Sequence, residues 1–162
     1  MPFFVSDTKG TFSLKQLKYV IVDLKYQNTV DTEGETLIPP MLKSFASTFS
    51  NGLALSLSLD VPVRIGGAAL PNSIFMTIGN SSDYLDVVGR PTSEGYSIDV
   101  MRDGIVIVGA SPLGVFWATR TILQQGVLSD GMKLTLGNAV DSPGWGIRGT
   151  FVSALLLYGV WC

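Results

Sequence analysis

Apolar and polar residues alternate in Gly95-Tyr-Ser-Ile-Asp-Val-Met-Arg102, where Tyr96, Ile98 and Val100 are interleaved with Ser97, Asp99 and Met101. Side chains of a strand point to opposite faces in turn, so this pattern predicts a half-buried strand. Across Asp103-Gly104 the run Ile105-Val-Ile-Val108 is apolar at every position. It predicts a central strand covered on both faces, joined to the first by a two-residue type I′ hairpin turn. Thr11 to Leu14, Lys18 to Leu24 and Ser73 to Ile78 predict three further strands, and Lys133 to Leu136 and Ala139-Val140 supply short ones. Gly79 to Ser93, rich in Gly, Ser and Asp, predicts a surface loop.

The period changes in two places. Ile38, Met41, Leu42, Phe45 and Phe49 are spaced by 3, 1, 3 and 4, one face of a helix running roughly from Thr36 to Ser50. Pro39 and Pro40 are expected in its first turn, and Gly52 is expected to end it. Ser111-Pro112 is a helix start, with Ser as N-cap and Pro at the first helical position, and the helix is expected to reach Gln125 and stop at Gly126. Leu113, Val115, Phe116, Trp117, Ala118, Ile122 and Leu123 cover most of its circumference, so this helix is expected to be largely buried. The order of elements predicts an α+β fold, two helices packed on one face of a mixed or antiparallel sheet.

The chain has 162 residues, 46% of them hydrophobic, enough for one domain of ordinary size and too few for a (β/α)₈ barrel of roughly 250 residues. Eleven basic residues against 13 acidic ones give a net charge of −2 with no basic run, which argues against a nucleic-acid partner. The amino terminus does not read as a secretory signal, and the compartment stays undetermined. The longest uncharged apolar stretch, Phe151 to Cys162, is 12 residues, short of the roughly 20 that span a bilayer, so no membrane partner is expected.

Histidine is absent, which excludes Ser-His-Asp and Cys-His nucleophiles and His-ligated zinc. Cysteine occurs once, at Cys162, which excludes an intrachain disulfide and a thiolate cluster. No metal, cofactor or catalytic residue is expected. Gly109-Ala-Ser-Pro-Leu-Gly114 stands between a strand and a helix but lacks the Lys-Ser/Thr of a P-loop and the G-x-G-x-x-G spacing, so it reads as a tight turn. Asp31, Glu33, Glu35, Asp83 and Asp86 read as solvated acids rather than a converging pair. Phe45, Phe49, Phe116 and Trp117 read as core. Asn80-Ser81-Ser82 is a sequon in the predicted loop, a glycosylation acceptor at Asn80 if the chain enters the secretory route.

Three segments carry a resemblance: Glu94-Gly-Tyr-Ser-Ile-Asp-Val, then Gly104 through Gln124, then Asp141-Ser-Pro-Gly-Trp-Gly-Ile-Arg-Gly149. In this order they resemble the end of the non-catalytic amino-terminal domain of glycoside hydrolase family 20, the β-N-acetylhexosaminidases. Leu37-Ile-Pro-Pro is similar to fungal members, extending the resemblance over residues 11 to 149. It implies an amino-terminal α+β domain at 1–140 and, at 141–162, a junction with the first strand of a (β/α)₈ barrel. In the family that barrel carries an Asp-Glu pair, Glu as general acid and Asp orienting the substrate's acetamido group. The implied partners are the barrel and N-acetylhexosamine-containing glycans. Family members are usually secreted, vacuolar or lysosomal. The junction arginine of the family holds hydroxyls of the terminal sugar and maps onto Arg148.

Past Gly149 the pattern departs, with Thr150-Phe-Val-Ser153 where the family continues with an apolar pair, an Asp and an Arg-His. An in-frame splice donor encodes Val-Ser, so an unspliced intron is one expectation for this tail and a shortened isoform is its rival. The apolar tail is also expected to lower solubility. The chain alone is expected to be an inactive support domain of a hexosaminidase. The alternatives are a free-standing interaction or carbohydrate-binding module and, third, a small hydrolase using its own carboxylates.

Overall fold

The apolar run Val20-Ile-Val22 forms the middle of β2 (Tyr19–Asp23), one of the parallel strands on which the sheet is built. The computed structural model of the protein describes residues 10–32 and 37–144. Within them, β1 (Thr11–Ser13) precedes β2, then come α1 (Leu42–Leu57), β3 (Val63–Gly66), β4 (Ser73–Ile78), β5 (Tyr96–Met101), β6 (Gly104–Gly109), α2 (Pro112–Leu128), β7 (Lys133–Thr135) and β8 (Gly137–Asp141). Six strands make one sheet in the order β3-β2-β4-β6-β5-β8. The first four are parallel, and β5 runs antiparallel to both β6 and β8. β1 and β7 pair separately, with Thr11 opposite Thr135.

The strand pleat sorts the core. Val20, Val22, Ile74, Met76, Ile98, Val100, Ile105 and Ile107 share a single buried cluster with both helices, whereas Ile21 and Phe75 belong to the opposite face. From α1 come Leu42, Ala46, Phe49, Leu53 and Leu57, a stripe at steps of four and three. Burying each of the larger side chains contributes about 1.5–3 kcal/mol relative to exposure. The expected α+β layer of two helices on one face of a mixed sheet is the observed one.

Several local expectations are corrected. Helix α1 starts at Leu42 and not near Thr36, with Pro39 and Pro40 ahead of it. The residue before a proline is driven out of the α region, and here the segment is extended: Asp31 donates its N–H to the Pro40 carbonyl at 2.8 Å, and Val30 bridges Met41. At the other end Gly52 lies inside α1, which continues to Leu57 and closes on Ser58 in the left-handed region at φ 56°. Gly126 likewise lies within α2, against Leu14 and Leu57. Both glycines let helices and neighbours approach, and neither ends a helix.

The hairpin register pairs Met101 with Gly104, so its two-residue turn is Arg102-Asp103. Neither residue has the positive φ that a type I′ turn requires, so that assignment is corrected as well. Asp103 is instead held from outside, its carbonyl accepting the N–H of Asn72 just before β4. Strand β3 was not expected at all. The loop after β4 is not wholly a surface feature, because Tyr84 within it is buried and donates its hydroxyl to the Val108 carbonyl at 3.1 Å.

Candidate interaction surface

Helix α2 is positioned by the loop that leads into it. Ser111 Oγ accepts the N–H groups of Leu113 (3.1 Å) and Gly114 (3.3 Å) and donates to the Ser93 carbonyl at 2.8 Å. Gly114 packs its backbone onto the Gly95 carbonyl, where a β-carbon would collide. The first-turn donors that a phosphate would need are therefore engaged or covered, and the loop is the tight turn its spacing suggests.

Around α2, Val115, Ala118 and Ile122 face the core. The outer positions Leu113, Phe116, Trp117 and Arg120, at steps of 3, 1 and 3, are half-buried rather than solvated. Phe116 meets Phe45 of α1 at 5.1 Å between ring centroids and Trp117 at 5.2 Å, edge-on. Of the four aromatics expected in the core, Phe49 is fully buried and Trp117 is half-buried and packs against the core cluster, while Phe45 and Phe116, half-buried and outside that cluster, form a patch with it on the outer side of the helix pair. The Arg120 guanidinium lies 4.9 Å from the Phe116 ring centroid, and its Nε donates to Thr119 Oγ1 at 3.3 Å. Its Nη2 is shielded from solvent without an acceptor, and burial lowers the guanidinium's affinity for its proton. No described residue forms an ion pair with it. Arg120 was not singled out in the sequence, although a lone cation in a helix apolar nearly all round was the available signal.

A second polar cluster fixes the end of the described chain. Tyr96 on β5 donates its hydroxyl to Asp141 Oδ2 of β8 at 2.9 Å and lies 2.7 Å from Thr121 Oγ1 on α2. Burial, first of all, pushes the Tyr96 phenol well above its ordinary value, so it stays neutral. The hydroxyl thus joins the sheet edge to α2 at the residue that begins the junction motif.

The candidate acids have separate local roles. Asp31 is buried at 2% exposure, which corrects its reading as a solvated acid. Asp83 is exposed, accepting a hydrogen bond from Ser82 Oγ at 3.4 Å. Asp86 organises its own loop, taking the N–H groups of Val88 and Arg90 at 2.9 Å each and the Arg90 guanidinium at 2.8 Å. The Arg90 backbone N–H is the main cause holding the Asp86 carboxyl below its usual range. Glu33, Glu35 and Arg148 lie outside the described residues. Cavities of about 430, 420, 240 and 120 Å³ are lined by at most one acid, Asp103 in the smallest, so none presents a carboxylate pair. Among the described residues no group of three His, Cys, Asp or Glu is placed to hold a metal ion, and no helix is long and apolar enough to cross a membrane.

The architecture is similar to that of several solved enzymes. The β-N-acetylhexosaminidase from Bacteroides fragilis NCTC 9343 matches at 18% identity and a TM-score of 0.52, over 87% of this chain and 23% of that one. The exo β-N-acetylglucosaminidase from Vibrio harveyi, in complex with N-acetylglucosamine, matches at 16% and 0.51, over 88% of this chain and 18% of that one. The Flavobacterium johnsoniae chitobiase matches at 19% and 0.51, over 87% and 19%. At these identities the likeness is one of fold, and this chain spans between 18% and 23% of the length of these three. No curated protein sequence matches the chain. The sequence profile of glycosyl hydrolase family 20, domain 2, matches residues 5–141, nearly all of the described fold, and the chain therefore belongs to this family as its non-catalytic domain 2.

Proposed function

We propose that the chain is the amino-terminal support domain of a β-N-acetylhexosaminidase, an enzyme that removes terminal non-reducing N-acetylhexosamine residues from glycans. Its task is to pack against the (β/α)₈ barrel that carries the chemistry. The observation behind this reading is the outer stripe of α2. A helix apolar nearly all round is one that is covered on both sides, and Phe116 and Arg120, half-buried and outside the core cluster, stand on its outer side together with the exposed part of Trp117, which also packs against the core. A guanidinium whose Nη2 is shielded and lacks an acceptor is costly alone and favourable beside a carboxylate, so the barrel surface that covers it carries an acid facing Arg120. Arg148, by family resemblance, contributes a contact to the sugar hydroxyls from the first barrel strand.

The test is association in trans with a family 20 barrel stripped of its own domain 2. A soluble complex, with a raised melting temperature of the barrel and lost on Phe116→Asp or Arg120→Glu, is the expected result. The absence of any complex with a folded chain overturns the reading. Sub-millimolar affinity of the chain alone for N-acetylglucosamine would favour a free-standing carbohydrate-binding module.

A further inference from the structure

The sequence contains a single N-x-Ser/Thr sequon, Asn80-Ser81-Ser82, and support of a barrel makes no use of it. Asn80 follows directly on Gly79, just past the end of β4, and is exposed, as is Ser82. The Asn80 Oδ1 accepts the Ser81 N–H at 3.0 Å, which turns the side-chain carbonyl back onto the chain. Its Nδ2, the atom that would be modified, makes no hydrogen bond among the described residues. The remaining loop is held away from the acceptor: Ser81 Oγ accepts the Asp83 N–H at 3.2 Å, and buried Tyr84 anchors the segment to the sheet.

The surroundings of Asn80 are concave on both sides. A cavity of about 430 Å³ lies between Asn80 and Tyr26, Ile78, Pro91 and Thr92. A second of about 240 Å³ lies between Asn80, Ser82, Leu85 and Pro91. The larger concavity, walled by Tyr26, Ile78, Pro91 and Ala110 with the hydroxyl residues Thr92 and Ser93, suits the mixed face of a pyranose, whose C–H groups pack while its hydroxyls reach water, whereas the smaller is lined mainly by polar residues.

We infer that Asn80 is an N-glycosylation acceptor and that the sugar attached to it rests in the concavity between Tyr26, Ile78 and Pro91. The donor is a lipid-linked oligosaccharyl pyrophosphate. A bond forms between Asn80 Nδ2 and the anomeric carbon, the bond from that carbon to the pyrophosphate oxygen breaks, Nδ2 gives up one proton to the transferase, and the lipid pyrophosphate leaves. The inference does not depend on the hexosaminidase reading, since it concerns the opposite end of β4 from the hairpin turn and not the outer patch of Phe45, Phe116 and Arg120.

The experiment directs the full chain into the secretory pathway of a eukaryotic cell with a cleavable leader and reads the peptide that contains Asn80 by mass. A glycan released by amide hydrolysis, leaving a carboxylate at position 80, is expected. Ser82→Ala should abolish it, whereas Ser81→Ala and Ser82→Thr should keep it. If the chain is retained in the cell, the same peptide is read from the microsomal fraction. An unmodified Asn80 in the folded, translocated chain overturns the inference. For the resting place of the sugar, the form trimmed to one saccharide should melt about 2–4 °C above the fully stripped form, a difference lost on Tyr26→Ala. Equal melting temperatures would sink that half of the inference.

Discussion

Gly52 of α1 lies so close to Leu123 of α2 that a β-carbon at position 52 would stand 2.8 Å from Leu123 Cδ1. The two helices meet through this absence of a side chain, and Gly126 of α2 answers it, with a β-carbon there falling 2.8 Å from Leu14 Cδ1 and 2.9 Å from Leu57 Cδ1. What each glycine faces determines the cost of replacing it. Gly52→Ala gains about 1 kcal/mol of helix propensity and asks only one leucine tip to turn, so it should fall within about 1 kcal/mol of the parent. Gly126→Ala presses on two buried leucines and should cost about 1–3 kcal/mol. Gly114→Ala meets the Gly95 carbonyl, which no side-chain rotation can relieve, and should be the most destabilising at about 3 kcal/mol. Urea midpoints of the three variants check the ranking, and a Gly114→Ala protein as stable as the parent contradicts it.

Alkaline stability should report on Tyr96. Its folded-state proton affinity is raised by burial above the ordinary phenol value near 10, so the folded chain holds this proton over a range where the unfolded chain releases it. Stability from this group is complete below about pH 10 and declines above it, by up to about 1.4 kcal/mol per pH unit. Tyr96→Phe should remove that slope while costing about 1–2 kcal/mol at neutral pH, because Asp141 and Thr121 lose their shared partner. Denaturant melts of both proteins between pH 8 and 11 make the comparison, and parallel curves would rule out Tyr96 as the source.

Ser111 caps α2 and also reaches the Ser93 carbonyl. Ser111→Ala should cost about 1–2 kcal/mol. Amide exchange in the first turn of α2 should rise with it, and unchanged exchange at Leu113 and Gly114 would show the cap to be dispensable.

Phe49 and Phe45 stand one turn apart on α1 and differ in what covers them. Phe49 is fully buried, so Phe49→Ala should cost about 3–5 kcal/mol. Phe45 is half-buried in the outer patch, and Phe45→Ala should cost about 1 kcal/mol in the chain by itself. If the patch is a docking surface, Phe45→Ala should nonetheless weaken association with a family 20 barrel as measured by calorimetry. Equal stability losses at the two positions would show that Phe45 is core.

The pattern of apolar residues was enough to place β2, β4, β5, β6 and both helices: β5 and α1 each turn one face to the core and so repeat at two and 3.6, whereas β2, β4 and β6 are covered on both faces and read as short unbroken apolar runs. Ser111-Pro112 marked the start of α2 for an equally local reason, since a cap acts within one turn. The resemblance carried by Glu94 to Gly149 identified the family. The ends of helices were not legible at Gly52 and Gly126, because a glycine that terminates a helix and one that admits a neighbouring leucine are the same residue in sequence. The start of α1 was misplaced for a related reason: Ile38 continues the helical spacing, but Pro39 and Pro40 hold the chain extended against Asp31. The burial of Asp31, the turn at Arg102-Asp103 held by Asn72, and the meeting of Tyr96, Thr121 and Asp141 all join residues distant along the chain. Such contacts depend on strand order and register, and only the tertiary structure decides those. The same holds for the outer patch of α2. Sequence pattern shows that the helix is apolar nearly all round, but which side the sheet takes, and hence that Phe116 and Arg120 are left for another surface, follows from the packing.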